Sequence, residues 1–169
     1  MDYEIVSIDE VGFQLKTNYK RIWFEKGKKP KGAFFWSNKK LTVFGAQTSS
    51  HQFYYEFQPA QNSVTFISFL LGLFDWLDKN KKYVLILDNA GWHKTDVVKK
   101  FISKHENISV EFIPTYSPEL NPIETNWKVT RYNVTDSQYF KNIDELQNAL
   151  EKFWKKHIFK QKFTNYLCL

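Results

Sequence analysis

The sequence is poor in cysteine, and this excludes structures that depend on cysteine cross-links or cysteine-bound metal. Its single cysteine, Cys168, allows neither an intrachain disulfide nor a cysteine-based zinc site, which fits a reducing compartment. No apolar run reaches the ~18–20 residues that span a bilayer, since the longest, Val64 to Leu77, is short and contains Asp75. The N-terminus also lacks the basic start and apolar stretch of a signal peptide. We therefore expect a cytoplasmic protein that does not enter a membrane.

Apolar and aromatic residues, in contrast, are plentiful. Hydrophobic residues make up 43% of the 169 residues and aromatic ones 18%, which excludes a disordered or collagen-like chain. A domain usually has ~100–200 residues, and the sequence contains no internal repeat or linker. We therefore predict a single domain over residues 1–169.

Acidic residues are in the minority, and the charge is unevenly distributed. Lys and Arg number 24 against 18 Asp and Glu, a formal charge of +6 that favours a polyanionic partner. Residues 1–15 contain four acids and no base, whereas residues 16–40 contain nine bases and one acid. The basic stretch Lys26 to Lys31 is either a solvated loop or one that follows a phosphate backbone.

The first third of the chain has the pattern of an antiparallel meander of strands. Alternating apolar residues and β-branched or aromatic runs separated by turn residues are typical of strands. The predicted strands are Glu4 to Leu15, with a break or turn near Gly12, then Arg21 to Glu25, Ala33 to Trp36 and Lys40 to Thr48.

The rest of the chain alternates helices and strands. The continuous apolar run Tyr83 to Leu87 predicts a strand buried on both faces. A strand, a helix and a second strand form a parallel crossover by default, so we predict an α/β fold with a mixed sheet and flanking helices. The remaining predicted elements are a helix capped by Ser63 to about Asp78, a helix capped by Thr95 or Asp96 to about His105, a strand from Ile108 to Ile113, and helices from Pro122 to about Tyr132 and from about Ile143 to Phe159.

Three acids are predicted at one edge of this sheet. Asp88 directly follows a parallel strand, the loop after the next strand leads to Glu124, and Asp9 lies on the first strand. Converging carboxylates repel one another unless a cation neutralises them, and hard oxygen ligands suit Mg²⁺ or Mn²⁺. Two such ions can catalyse phosphodiester displacement. Together with the basic surface, this pattern indicates nucleic acid chemistry.

Each of these residues also has a structural interpretation. Asp88 could close a strand in an Asx turn, Asp9 could be an acid in a turn, and Glu124 could belong to a capping box with Asn121 as the N-cap. His93 could be a packed histidine or could support the site. These alternatives stay open for each residue alone, but three acids at one edge favour a site.

Three sequence blocks resemble the mariner-type bacterial insertion-sequence transposases of the DDE superfamily of endonucleases. The residues from Tyr83 to Lys94 (YVLILDNAGWHK) and from Ile113 to Lys128 (IPTYSPELNPIETNWK) resemble the two main signature blocks, and Ser7 to Phe13 (SIDEVGF) resembles the first. The 35 residues between Asp88 and Glu124 fit the family's spacing.

The resemblance implies a ribonuclease-H-like fold in which Asp9, Asp88 and Glu124 hold two Mg²⁺ ions, with Mn²⁺ as a substitute. Such enzymes cut DNA at transposon ends and join the freed 3′ ends to a target, in this group typically at TA. It also implies supporting roles for Asn89, His93 and Asn121, and loop-shaping roles for Ser117, Pro118 and Pro122. The candidate DNA contacts are Lys26, Lys28, Lys29, Lys31, Lys94, Lys128 and Arg131.

One departure concerns DNA recognition. Members of the family normally carry helix-turn-helix domains before the catalytic domain, and this sequence starts almost at the first catalytic strand. We therefore expect a separate upstream recognition product and, as in other transposases, a possible homodimer. The alternatives are a non-catalytic DNA-binding remnant and a stand-alone ribonuclease-H-like nuclease.

Overall fold

A mixed sheet lies between two layers of helices. The computed structural model describes residues 3–17, 25–27 and 37–166, and in these residues the sheet has five strands in the order β3-β2-β1-β4-β5. The pairs β1·β2 and β2·β3 are antiparallel, while β1·β4 and β4·β5 are parallel, which confirms the predicted mixed sheet. The strands are β1 (Tyr3–Gln14), β2 (Lys40–Thr48), β3 (Phe53–Gln58), β4 (Lys82–Leu87) and β5 (Ile108–Phe112).

The strand predictions had mixed outcomes. β2 has the predicted bounds, and β1 continues through Gly12 without the expected break. β3 was not predicted, because all six of its residues are half-buried and its sequence shows no contrast between a polar and an apolar face. Of the other predicted strands, Ala33 to Trp36 and residues 21–24 lie outside the described residues, and Glu25 is not in a strand.

The helices are shorter than predicted and differ in their caps. They are α1 (Ser63–Trp76), α2 (Asp96–Ile102), α3 (Glu124–Thr130), which continues into a π-helical turn (Arg131–Thr135), and α4 (Ile143–Trp154). The cap of α1 is Asn62 and not Ser63, because the Asn62 Oδ1 accepts the backbone N–H groups of Val64 and Thr65 at 2.9 and 3.0 Å. Thr95 precedes α2 as predicted, but its hydroxyl does not cap the helix and lies 3.2 Å from the Trp92 carbonyl.

The two faces of the sheet cover separate cores. Along β1, Val6 and Ile8 pack with α1 and α2, whereas Val11 and Phe13 pack with α3 and α4. Side chains alternate between the faces of a strand, so two consecutive residues of β1 always face different helical layers. No helix in the described part of the chain is long and apolar enough to cross a membrane.

Candidate metal-binding active site

The three predicted acids line one cleft at the edge of the sheet. Asp9 lies within β1, Asp88 directly follows the neighbouring parallel strand β4, and Glu124 is the first residue of α3. All three line a cleft of about 290 Å³, whose wall is completed by the loop that follows β5. The structure therefore brings together acids that are up to 115 positions apart in the sequence.

Of the structural interpretations of the three acids, the one for Asp88 is correct and those for Asp9 and Glu124 are wrong. Asp9 is paired with Gly45 in the middle of β1, so it is not a turn residue. Asp88 does form the Asx-type turn, because its Oδ1 accepts the Ala90 N–H at 2.9 Å, but it also lines the cleft. The capping box is wrong, because α3 begins at Glu124 and Ile123 occupies its N-cap position.

A buried tryptophan orients Asp9. The indole Nε1–H of Trp127 donates to Asp9 Oδ2 at 2.9 Å, and Trp127 itself is 1% exposed. Burial of the carboxyl, together with the negative charges of Glu124 and Glu10, raises the pKa of Asp9 to about 8 in spite of this hydrogen bond. Without a cation, the carboxyl is therefore mainly protonated at neutral pH.

Asp88 has the opposite electrostatic environment. His93 Nδ1 lies 2.9 Å from Asp88 Oδ1, and this hydrogen bond is the main reason why the pKa of Asp88 is lowered although burial opposes ionisation. The other ring nitrogen, Nε2, lies 2.8 Å from Glu10 Oε1. Burial disfavours the imidazolium, but the bonds to Asp88 and Glu10 raise the pKa of His93 to about 9. The ring is therefore charged at neutral pH and donates from both nitrogens.

Asn121 joins the segment before Glu124 to β1. Its Oδ1 accepts the Ser7 hydroxyl, and its Nδ2 donates to the Ile8 carbonyl at 3.4 Å. The Ser7 Oγ in turn accepts the Ile123 N–H at 3.2 Å. Because Ser7 and Asn121 are both buried, these bonds fix the start of α3 relative to the strand that carries Asp9.

Asn89 joins the ends of β4 and β5. Its Nδ2 donates to the Ile113 carbonyl at 2.5 Å, and its Oδ1 accepts the Lys94 ammonium. Asn89 and Ile113 both line the cleft. Asn89 thus holds the loop after β5 against the loop after β4.

The candidate DNA contacts that the structure describes are solvent-exposed. Lys94 follows Asp88 and lies 4.8 Å from the Phe112 ring centre, and Arg131 lies 5.8 Å from the ring of Phe13. Lys26 and Lys128 are also exposed. The remaining three candidates, Lys28, Lys29 and Lys31, lie outside the described residues.

Two residues around the site were missed by the sequence analysis. Trp127 lies three positions after Glu124, a spacing that places both on one side of a helix, so the helical period carried a usable signal. Glu10 faces the opposite side of the sheet from Asp9, and its partner His93 comes from a different segment, so no local pattern indicated their contact.

The donor set fits a divalent cation. Asp9, Asp88 and Glu124 offer hard carboxylate oxygens in one cleft, and burial, followed by the negative charges of Glu124 and Glu10, raises the pKa of Asp9. As they stand, no three acidic, histidine or cysteine side chains among the described residues are grouped closely enough to hold one ion. Mutually repelling carboxylates are expected to draw together only around a cation.

The fold and the cleft together define a ribonuclease-H-like domain with an acidic site. The crystal structure of the Mos1 strand transfer complex matches 96% of this chain and 51% of that chain with a TM-score of 0.77 and 18% identity. The crystal structure of the Mos1 mariner paired end complex with Mn matches 96% and 51% with a TM-score of 0.75 and 16% identity. The catalytic domain of Mos1 mariner transposase matches 96% and 74% with a TM-score of 0.68 and 19% identity.

The family model for DDE superfamily endonucleases matches residues 4–147, so the chain belongs to this family. The resemblance seen in the three sequence blocks is thereby confirmed. The uncharacterized protein y4pE/y4sA of Sinorhizobium fredii (strain NBRC 101917 / NGR234) is 39% identical over 80 residues, which are 47% of this chain and 56% of that protein. The match thus spans about half the length of the Sinorhizobium fredii protein and of the Mos1 chains in the two complexes.

Proposed function

We propose that this chain is the catalytic domain of a DNA transposase that cleaves phosphodiester bonds at transposon ends and transfers the freed strands to target DNA. The observation that carries the proposal is the convergence of Asp9, Asp88 and Glu124 on one cleft of a DDE-family domain. In the proposed complex these three residues hold two Mg²⁺ ions, or Mn²⁺ in their place. When bound, such ions activate the nucleophile and stabilise the leaving oxygen.

Both proposed reactions are direct displacements at phosphorus and need no covalent bond between the enzyme and the DNA. In cleavage, a water oxygen bonds to phosphorus while the bond from phosphorus to the 3′ oxygen breaks, which leaves a 5′-phosphate and a 3′-hydroxyl. In strand transfer, that 3′-hydroxyl attacks a target phosphodiester and releases a new 3′-hydroxyl. The protein orients the acids through Trp127 and His93, and exposed bases such as Lys94 hold the DNA backbone.

The proposed partners are DNA, a second copy of the chain and a separate helix-turn-helix product of the same element. The solved Mos1 relatives include complexes with transposon ends, such as the paired-end complex with a left transposon end. Lys94, Lys128 and Arg131 are solvent-exposed, which supports a DNA-binding surface. We place the protein in the cytoplasm of a prokaryotic cell.

Metal binding and end cleavage test this function together. Asp88→Asn is the sharpest variant, because its amide oxygen can still accept from His93 and Ala90 while the charge is lost. We expect the wild type to bind Mn²⁺ by calorimetry and to cut transposon-end DNA when the upstream recognition product is supplied. Asp9→Asn, Asp88→Asn and Glu124→Gln should lose cleavage, and Glu111→Gln on the exposed side of β5 should keep it.

The alternatives give different results in the same assays. Faster cleavage of RNA–DNA hybrid than of duplex DNA would indicate a stand-alone ribonuclease-H-like nuclease. DNA binding without Mn²⁺ affinity, even with DNA bound, would indicate a non-catalytic remnant. Neither result is expected of a transposase catalytic domain whose three acids hold the ions.

A further inference from the structure

A buried carboxylate lies behind Asp88, on the far side of His93. Glu10 follows Asp9 in β1 but faces the layer of α1 and α2, and its side chain is 4% exposed. Its Oε1 lies 2.8 Å from His93 Nε2, and His93 Nδ1 lies 2.9 Å from Asp88 Oδ1. A chain of three side chains therefore connects the middle of β1 to the acid after β4.

We propose that Glu10 is a positioning residue for Asp88, which it acts on through His93. A ring bonded on one side only can rotate about its side-chain bonds, whereas a second acceptor at Nε2 fixes the plane of the ring and the direction in which Nδ1–H donates to Asp88. The ring is also held 4.3 Å from the ring of Phe66. The inference rests on the proposed function, since it assumes a cation at Asp88.

The arrangement assigns the two oxygens of Asp88 different tasks. Oδ1 accepts both the Ala90 N–H and the His93 Nδ1–H. The carboxylate is nevertheless 44% exposed and lines the cleft. With Oδ1 held by the protein, the other oxygen is available to a ligand in a fixed direction. Glu10 thus links the orientation of Asp88 to the strand that carries Asp9.

Length and charge at position 10 can be varied separately. Glu10→Gln keeps an oxygen at the same reach for His93 Nε2–H but removes the charge. Glu10→Asp keeps the charge but shortens the side chain by one methylene, so it cannot hold the 2.8 Å contact without a backbone shift. If Glu10 acts by positioning, reach matters more than charge.

The test measures the Mn²⁺ dissociation constant by calorimetry, with metal-free thermal unfolding as a check of the fold. We expect Glu10→Asp and Glu10→Ala to weaken Mn²⁺ binding about 10–100-fold, the usual effect of losing a residue that orients a metal ligand. Glu10→Gln should stay within about threefold of the wild type, and Glu111→Gln should not differ from it. In a His93→Ala background, Glu10→Asp should have no further effect.

Three results would overturn the inference about Glu10 and leave the proposed function intact. They are unchanged Mn²⁺ affinity in folded Glu10→Asp, equal losses of affinity in Glu10→Gln and Glu10→Asp, or additive losses when His93→Ala and Glu10→Asp are combined. If Glu10→Ala does not fold, the Asp and Gln variants decide the question. A wild-type protein that binds no Mn²⁺, with or without duplex DNA, would overturn the proposed function and this inference with it. The Mn²⁺ affinity of the wild type thus tests the proposed function, and the variants at position 10 test the role of Glu10.

Discussion

At the scale of single residues, Asp9 makes the metal-free protein sensitive to pH. Its pKa is about 8 in the folded protein against 3.8 for an ordinary aspartate, so the folded form retains a proton that the unfolded chain releases. The stability from this proton is complete below about pH 4 and is lost as the pH rises to about 8. We therefore expect Asp9→Asn, which cannot ionise, to lose less stability than the wild type between about pH 5 and 8.

Urea denaturation of the wild type and of Asp9→Asn at about pH 5 and about pH 8 measures how much stability each protein loses over this range. His93, whose pKa is about 9, contributes a similar decline from about pH 6.5 upward, but it is present in both proteins. The comparison therefore isolates Asp9. Equal losses of stability in the two proteins would show that Asp9 ionises normally.

The same proton should compete with metal. A cation at Asp9 needs the ionised carboxylate, so binding must release the proton that burial and Glu124 favour. We expect the Mn²⁺ affinity of the wild type to rise about tenfold per pH unit until about pH 8 and then to level off. Calorimetry in two buffers of different ionisation enthalpy would count the released protons. Binding that releases none below pH 8 would contradict this prediction.

At the scale of elements, the contact between β2 and α3 depends on a glycine. Gly45 lies opposite Asp9 in the β1·β2 pairing, and a Cβ added there would lie 2.4 Å from a ring carbon of Trp127. Gly45→Ala must therefore displace the indole that donates to Asp9. We expect a loss of about 1–3 kcal/mol in the free energy of unfolding and weaker Mn²⁺ binding.

Gly12→Ala is the matched control in the adjacent strand. An added Cβ at Gly12 meets nothing closer than the Lys40 side chain at 3.8 Å, an ordinary contact. Its stability and Mn²⁺ affinity should stay near those of the wild type. Equal effects of the two substitutions, measured by denaturation and calorimetry, would show that the contact with Trp127 is not the cause.

A buried hydrogen bond gives a second prediction at this scale. Ser7→Ala removes the hydroxyl that donates to Asn121 and accepts the Ile123 N–H, which leaves two buried polar groups without this partner. We expect a loss of about 1–3 kcal/mol in the free energy of unfolding. Hydrogen exchange at the start of α3 should also become faster. Unchanged exchange would mean that Ser7 does not hold this segment.

The sequence predicted the three acids better than the residues that orient them. Asp88 and Glu124 follow parallel strands in chain order, and Asp9 lies on a strand beside them, so topology alone predicted their convergence. The helix caps were mislocated by one or two residues, because Asn62 and Ser63 both suit a helix start and only the backbone geometry decides between them. The contact of Glu10 with His93 depends on how a buried ring is turned, which no sequence pattern records.

At the scale of the whole molecule, the exposed bases should determine how DNA binding depends on salt. Each phosphate that a base neutralises adds about one to the slope of log affinity against log salt. We expect Lys94→Ala, Lys128→Ala and Arg131→Ala each to weaken duplex binding and to reduce that slope by about 1. Fluorescence anisotropy over a range of salt concentrations measures it.

Lys79→Ala is the control, since this exposed lysine pairs with Asp75 at 3.4 Å and lies outside the cleft. It should leave the slope unchanged. An equal change in the slope for Lys79→Ala would mean that DNA binds through net charge and not through a defined surface.

The alternation of side chains along β1 also bears on which mutations the gene can accumulate. Asp9 reaches Trp127 in one helical layer and Glu10 reaches His93 in the other. An in-frame deletion or insertion of a single codon before Asp9 in β1 would turn both acids to the opposite faces of the sheet, away from Trp127 and His93. A change of two codons would keep the faces but would move both acids about 6.6 Å along the strand, away from the same partners. Length changes in this part of β1 should therefore be counter-selected wherever the proposed activity is maintained.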